Sequence, residues 1–212
     1  LLARQARSQR FVIGTPVAGR DQPELEPQIG FFVNLLPLVA EVDGARSFSD
    51  HLSAAKASVA SALSHASYPF DRLVDDLVLP RDLSRAPLFD VLLVFQSNRD
   101  AELSLGSVHL ETVPLPSRTS QYDLTFEMVE TPGGLWLRLE YATALFDAAR
   151  MKRLAQQFVA LLESAFADPM RAVEALELCP VEEREMICRF ERGPRFGTVC
   201  SRTLPQLVQE AG

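Results

Sequence analysis

The chain has 212 residues, 47% of them hydrophobic and 23% charged, and a net charge of −7. That length supports a real core in one large domain or two small ones, and the acidic balance speaks against a nucleic-acid surface, which neutralises phosphates with clustered Lys and Arg. No apolar run approaches the ~20 residues of a membrane-spanning helix, and the first ten residues carry no long apolar region ahead of a signal-peptide cleavage site.

The chain lacks an initiator Met, and residues 1–6 read as the tail of a helix whose beginning lies elsewhere. Two apolar runs, residues 11–13 and 31–39, are bounded by turn residues and predict strands buried on both faces. Gly14, Pro16 and Gly19 punctuate the exit from the first, and Arg20 and Asp21 enter a solvated connection. Asn34 is the polar side chain inside the second run. A buried amide without partners costs roughly 1–3 kcal/mol, so Asn34 is either internally satisfied or faces a cavity.

After a turn at Asp43 and Gly44, Phe48, Leu52, Ala55, Val59, Ala62 and Ala66 recur at intervals of three and four. This predicts an amphipathic helix capped by Ser47 or Ser49, with His65 near its C-terminal end. A short helix over 70–79 should turn Leu73, Val74 and Leu77 inward. Residues 91–95 form another apolar run predicted as a doubly buried strand, and residues 103–113 a weaker strand. Tyr122, Leu124, Phe126 and Met128 then alternate with Asp123, Thr125 and Glu127. Beyond a turn at Pro132, Gly133 and Gly134, Leu135, Leu137, Leu139 and Tyr141 alternate with Trp136, Arg138 and Glu140. That pattern is an antiparallel hairpin with one wet face. The longest predicted helix runs from its cap, Asp147, to Ala167, with Met151, Leu154, Phe158, Leu161, Leu162 and Ala165 as the stripe that covers the sheet. From Val173 the character changes. A domain boundary is expected near Leu178, followed by a charged helix and loop-like sequence.

The search for catalytic groups mostly fails. His51, His65 and His109 are dispersed, and no phosphate-cradling Gly-rich loop or GxSxG elbow occurs. Cys179, Cys188 and Cys200 fit neither a disulfide framework nor a metal site, and a reducing cytoplasm is the expected setting. Asp75 and Asp76 are helix neighbours pointing about 100° apart, a solvated face rather than an acid–base pair. No catalytic residue and no metal ligand is assigned.

Four ordered stretches nevertheless resemble one family. FVIGTPVAGR at 11–20 resembles an IGTPxxGR segment, and IGFFVNLLPLV at 29–39 an IGxFVNTxxxR segment. HASYPFDRLV at 65–74 resembles HxxxPFxxLV, and RDLSRAPLFDVLLVFQ at 81–96 resembles RDxSRxPLFxVxxxxQ. All belong to the condensation domain of nonribosomal peptide synthetases. The resemblance spans residues 1–178, and residues 179–212 resemble the linker and start of an adenylation domain.

The resemblance implies an α/β fold: a chloramphenicol acetyltransferase-like lobe, an αβ sandwich whose mixed sheet is covered by helices. It would be the C-terminal half of a V-shaped, two-lobe domain. That domain joins a donor acyl or peptidyl thioester to an acceptor aminoacyl amine, each presented on 4'-phosphopantetheine by a peptidyl carrier protein. No cofactor is bound directly. The family's His-His-x-x-x-Asp-Gly motif is absent here, so this lobe is expected to shape the tunnel and carrier docking and to be inactive alone. Gly14, Thr15, Pro16, Gly19, Arg20 and Asn34 would belong to the tunnel and its floor loop. Thr119, Ser120, Gln121 and Asp123 would belong to a latch crossing to the N-terminal lobe. His65, Ser84 and Arg85 match motif positions with structural roles. Two positions depart from the pattern: Leu35 stands where the family has Thr, and Val39 where it has Arg, which removes a guanidinium anchor. The partners implied are the N-terminal lobe, the two carriers and an adenylation domain, with no nucleic acid and no membrane. An epimerising or partner-recruiting relative, or a stand-alone binding lobe, is the alternative.

Overall fold

The computed structural model describes residues 1–78, 85–97, 104–105, 108–109, 119–131 and 133–192. The chain divides into two compact units, Leu1–Leu178 and Cys179–Gly212. The first opens with a short helix α1 (Leu2–Ala6) and strands β1 (Arg10–Val17) and β2 (Asn34–Glu41). Helices α2 (Phe48–Leu63) and α3 (Phe70–Asp76) follow, then strand β3 (Val91–Gln96) and the two-residue strands β4 (Ser104–Leu105) and β5 (Val108–His109). The hairpin of β6 (Leu124–Thr131) and β7 (Gly134–Tyr141) leads to helix α4 (Ala148–Ala167). In the second unit, α5 (Val181–Arg192) is the charged helix that the sequence predicts after Leu178.

Five strands form a mixed sheet in the order β2-β1-β3-β6-β7. The outer pairs, β1 with β2 and β6 with β7, are antiparallel, whereas β3 runs parallel to both β1 and β6. Alternation and register place Ile13, Leu38, Leu93, Phe126 and Leu139 on one face. There Leu124 and Phe126 pack with Met151 and Leu154 of α4, joined by Leu1, Leu2, Val91 and Leu137. The opposite face carries Val12, Leu35, Val39, Leu92, Val94 and Trp136 by the same register. Its Glu127–Arg138 pair spans β6 and β7 at 2.9 Å.

Helix α4 follows its sequence signals closely. Asp147 accepts the Arg150 amide at 2.7 Å as N-cap, and Met151, Leu154 and Ala165 are buried. Ser47 caps α2, accepting the Asp50 amide at 3.1 Å. The predicted antiparallel hairpin forms, with Phe126 opposite Leu139 and Glu127 opposite Arg138.

Five expectations are corrected. The apolar run at 31–39 is a strand only from Asn34; Phe31 and Val33 are exposed, and β2 is a sheet edge with Val39 44% exposed. Apolar runs suggest burial on both faces, but among the described residues the helices pack on the Leu36 and Leu38 face of β2 while Val39 on the other is exposed. Residues 91–95 are likewise half-buried rather than sealed, and Phe95 is exposed. In α3 the helix ends at Asp76, and Leu77 points into solvent instead of inward. The stripe of α2 is loosely seated, with no residue buried, because a cavity of 910 Å³ separates it from Ile13, Leu38 and Leu93. Gly14 and Pro16 lie within β1 rather than beyond it. Pro16 is tolerated there because β3 meets β1 only around Gly14, so the missing N–H breaks no further ladder. The predicted strand over 103–113 is described only at β4 and β5, and Ser84 and Cys200 lie outside the described residues.

A seam closes the first unit. The amides of Phe48 and Ser49 donate to the carbonyls of Arg171 and Pro169 at 3.0 and 2.9 Å. In return, those of Val173 and Glu174 donate to Arg46 and Gly44 at 2.8 and 2.9 Å. The Arg4 guanidinium donates to the Val173 carbonyl and, at 2.8 Å, to that of Leu176.

Candidate functional site

The predicted floor loop begins inside β1. Gly14 lies against the ring of Phe89, and a Cβ placed there would stand 2.1 Å from Cε2. Phe89 is 3% exposed, stacks on Tyr122 at 5.6 Å between centroids and tilts against Phe70 at 5.5 Å. Only a residue without a side chain lets β1 approach this aromatic group so closely. Thr15 and Pro16 continue the strand opposite Leu36 and Leu35.

Beyond Val17 the backbone turns at Gly19, whose φ of +61° is the left-handed region that glycine enters without strain. A Cβ there would also meet the Phe32 carbonyl oxygen at 2.0 Å. Arg20 then reaches across the connection. Its Nη1 donates to the carbonyls of Leu25 and, at 3.4 Å, Glu26; its Nη2 donates to that of Gly30 at 3.5 Å. The guanidinium carbon lies 4.4 Å from the centroid of the Phe32 ring, a cation–π arrangement. Gathered this way, the connection holds a 3-10 turn at Pro23–Leu25 and leaves Ile29 and Phe31 104% and 91% exposed.

Asn34, at the start of β2, is fully engaged. Its Nδ2 donates to the carbonyls of Ala66 and Tyr68 at 2.9 and 2.8 Å, and its Oδ1 accepts the Phe70 amide at 3.1 Å. The amide thus brackets the connection between α2 and α3 on the helix side of the sheet. His65 lies beside that bracket, its Nδ1 2.9 Å from the Ser61 carbonyl near the end of α2. Arg85 pairs with both carboxylate oxygens of Asp90, with Nε at 3.2 Å from Oδ1, just ahead of β3.

The predicted latch residues occupy the approach to β6. Thr119 and Gln121 are exposed, while the Ser120 hydroxyl donates to the Tyr122 carbonyl and the Asp123 carbonyl accepts the Ala142 amide at 3.0 Å. Tyr122 connects this approach to β1 through Phe89 and Gly14. Burial pushes the Tyr122 phenol above its ordinary pKa. Sequence spacing did not single out Phe89 or Phe32. The clue was their place inside the PLF and GFFVN segments, next to the residues it did select. Among the described residues no group of three His, Cys, Asp or Glu is placed to hold a metal ion. No helix among them is long and apolar enough to cross a membrane.

Residues 1–188 match the family model described as "Condensation domain". The chain is 34% identical to bacitracin synthase 2 of Bacillus licheniformis over 187 residues, which is 88% of this chain and 7% of that protein. It is 33% identical to surfactin synthase subunit 1 of Bacillus subtilis (strain 168) over 200 residues, 94% of this chain and 6% of that protein. It therefore spans only a few per cent of the length of the curated relatives it matches. Among solved structures, holo-AB3403, a four-domain nonribosomal peptide synthetase bound to AMP and glycine, shares the fold. Its TM-score is 0.78 at 24% identity, covering 86% of this chain and 15% of that one. The X-domain in complex with OxyB from teicoplanin biosynthesis matches with a TM-score of 0.73 at 28% identity, over 84% of this chain and 40% of that one.

Proposed function

The chain belongs to the condensation-domain family of nonribosomal peptide synthetases, and from that premise we propose that it is the C-terminal lobe of one such domain. Residues 1–178 would form the lobe and residues 179–212 the linker and start of an adenylation domain. The observation that carries this reading is the sheet itself: α4 packs on one face, while the other exposes Val39 and Trp136 (the latter 68%) beside a charged pair. Apolar and charged groups together on an open face suit a wall that meets a second lobe and a passage.

In this role the lobe brings two tethered reactants together: a donor thioester and an acceptor amine, each on the 4'-phosphopantetheine arm of a carrier protein. Attack of the amine on the thioester carbonyl forms the amide and releases the carrier thiol, with the proton of the amine passing to that thiolate. Holding the reactants in attack geometry supplies several kcal/mol of barrier reduction. The contribution of these residues is position. Gly14, Thr15, Pro16, Gly19 and Arg20 form the floor of the passage, and Asn34 steadies the strand that borders it. Thr119, Ser120, Gln121 and Asp123 lead the latch toward the other lobe. Proton handling belongs to the family's His-His-x-x-x-Asp-Gly motif, which would be contributed by the N-terminal lobe. The setting is cytoplasmic, where the carriers and the adenylation domain operate.

The test is the complete domain in its parent synthetase, with the flanking carriers loaded by their own adenylation domains. The acceptor carrier should gain the mass of the donor acyl group. A donor that stays loaded beside an unextended acceptor would refute condensation. It would favour the partner-recruiting alternative, to which the 28% identity with an X-domain lends weight.

A further inference from the structure

The geometry points to Arg20 as a positioning residue: a clasp that holds the connection between β1 and β2 in one shape and so fixes where Ile29 and Phe31 stand. Three carbonyls on two sides of the connection and one aromatic ring converge on a single guanidinium. Among the described residues no carboxylate lies within ion-pair distance of it. Backbone carbonyls and a ring therefore answer its charge, an arrangement that couples that charge directly to the path of the chain. The planar fork is what spans Leu25, Glu26 and Gly30 together, and an ammonium presents no such fork. Gly19 supports the clasp from beneath, since its left-handed turn aims Arg20 back across the connection and its bare Cα admits the Phe32 carbonyl.

The connection has little else to order it. Among the described residues, the Leu25, Glu26 and Gln28 amides donate to Gln22, Pro23 and Leu25, and the Gln28 side chain donates to the Glu24 carbonyl at 3.0 Å. Ile29 and Phe31, which would favour burial, are instead held in solvent. Without the clasp these two side chains would fold onto neighbouring apolar surface and take the connection with them. The inference rests on the reading of this connection as tunnel floor and adds a residue that sets the height of that floor.

The experiment uses the complete domain in its parent synthetase. Arg20→Ala and Arg20→Lys are compared with Arg10→Ala, a control for loss of an exposed arginine that pairs with Glu41 at 3.2 Å. Hydrogen exchange of the Leu25, Glu26 and Gln28 amides reads the clasp, and amide formation against titrated donor carrier reads its consequence. Arg20→Ala should expose those amides and lower kcat by about tenfold to a hundredfold, the effect of a misplaced reaction surface. KM for the carrier and the thermal midpoint of the domain should be unchanged, which separates misplacement from loss of fold. Arg20→Lys should fall between, and Arg10→Ala should match the parent. Unchanged exchange in Arg20→Ala overturns the clasp, and so does full recovery by lysine. Loosened amides with undiminished kcat overturn its role in the reaction. If the parent itself forms no amide, the condensation reading fails, and the exchange comparison still decides the clasp.

Discussion

Replacing Gly14 by alanine tests whether β1 is fixed by its approach to the aromatic group under it. The added methyl would lie 2.1, 2.3 and 2.6 Å from Cε2, Cζ and Cδ2 of Phe89, whereas carbon atoms pack best at about 3.5–4.0 Å. Relief requires a displacement of about 1.5 Å, and Phe89 is held between Tyr122 and Phe70 with almost no exposed surface. Overpacking of this kind costs about 1–3 kcal/mol. Because the Gly14 φ is not in the left-handed region, alanine regains about 0.4–1 kcal/mol through the unfolded chain. The net loss should lie between about 0 and 2.6 kcal/mol, the balance of those two ranges. Urea unfolding of the complete domain measures it, and a double-mutant cycle with Phe89→Leu isolates its cause. If the ring is the obstacle, Gly14→Ala should cost much less in the Phe89→Leu background, with a coupling of at least about 0.5 kcal/mol. Equal losses in the two backgrounds would refute the reasoning, as would stabilisation by alanine in the parent.

Asn34→Ala leaves the Ala66 and Tyr68 carbonyls and the Phe70 amide without the side chain that joins them, and should cost about 1–3 kcal/mol in the same unfolding assay. Asp147→Ala removes the cap of α4 and should cost about 1 kcal/mol. Met151→Ala opens a cavity in the cluster around Phe126 and should cost about 2–5 kcal/mol. Burial, followed by nearby positive charges that include Arg46, lowers the pKa of His51 below its ordinary 6.5. On acidification the unfolded chain therefore binds the proton first. Stability should decline as pH falls below about 6.5 and level off beneath the folded-state value. His51→Gln should flatten that slope in urea midpoints taken across the interval.

The β6–β7 hairpin and α4 were legible because local signals agree there: strict alternation on either side of a Gly-rich turn, and an Asp cap ahead of a continuous stripe. The strand β2 was only half legible. Its run of apolar residues has the composition of a sealed strand, yet among the described residues it leaves Val39 exposed, and composition does not distinguish a core from a surface awaiting one. Asn34 showed the same limit. Its polarity marked it as either internally satisfied or facing a cavity, and the Ala66, Tyr68 and Phe70 groups that engage it are distant in sequence and follow no periodicity. Gly14 was readable as a turn residue at the end of a strand, whereas its close approach to Phe89 within that strand was not. The resemblance located the loop around Arg20. Its carbonyl clasp emerged only when the path of the connection was known.

The seam between residues 44–49 and 169–174 has a mechanical corollary. A pull on the polypeptide at Leu178 would load the Arg4 clamp and the paired amides of Phe48, Ser49, Val173 and Glu174 first. Those bonds lie ahead of α4 along the path of the pull. Parting them would cost several hydrogen bonds before the sheet beneath α4 was disturbed.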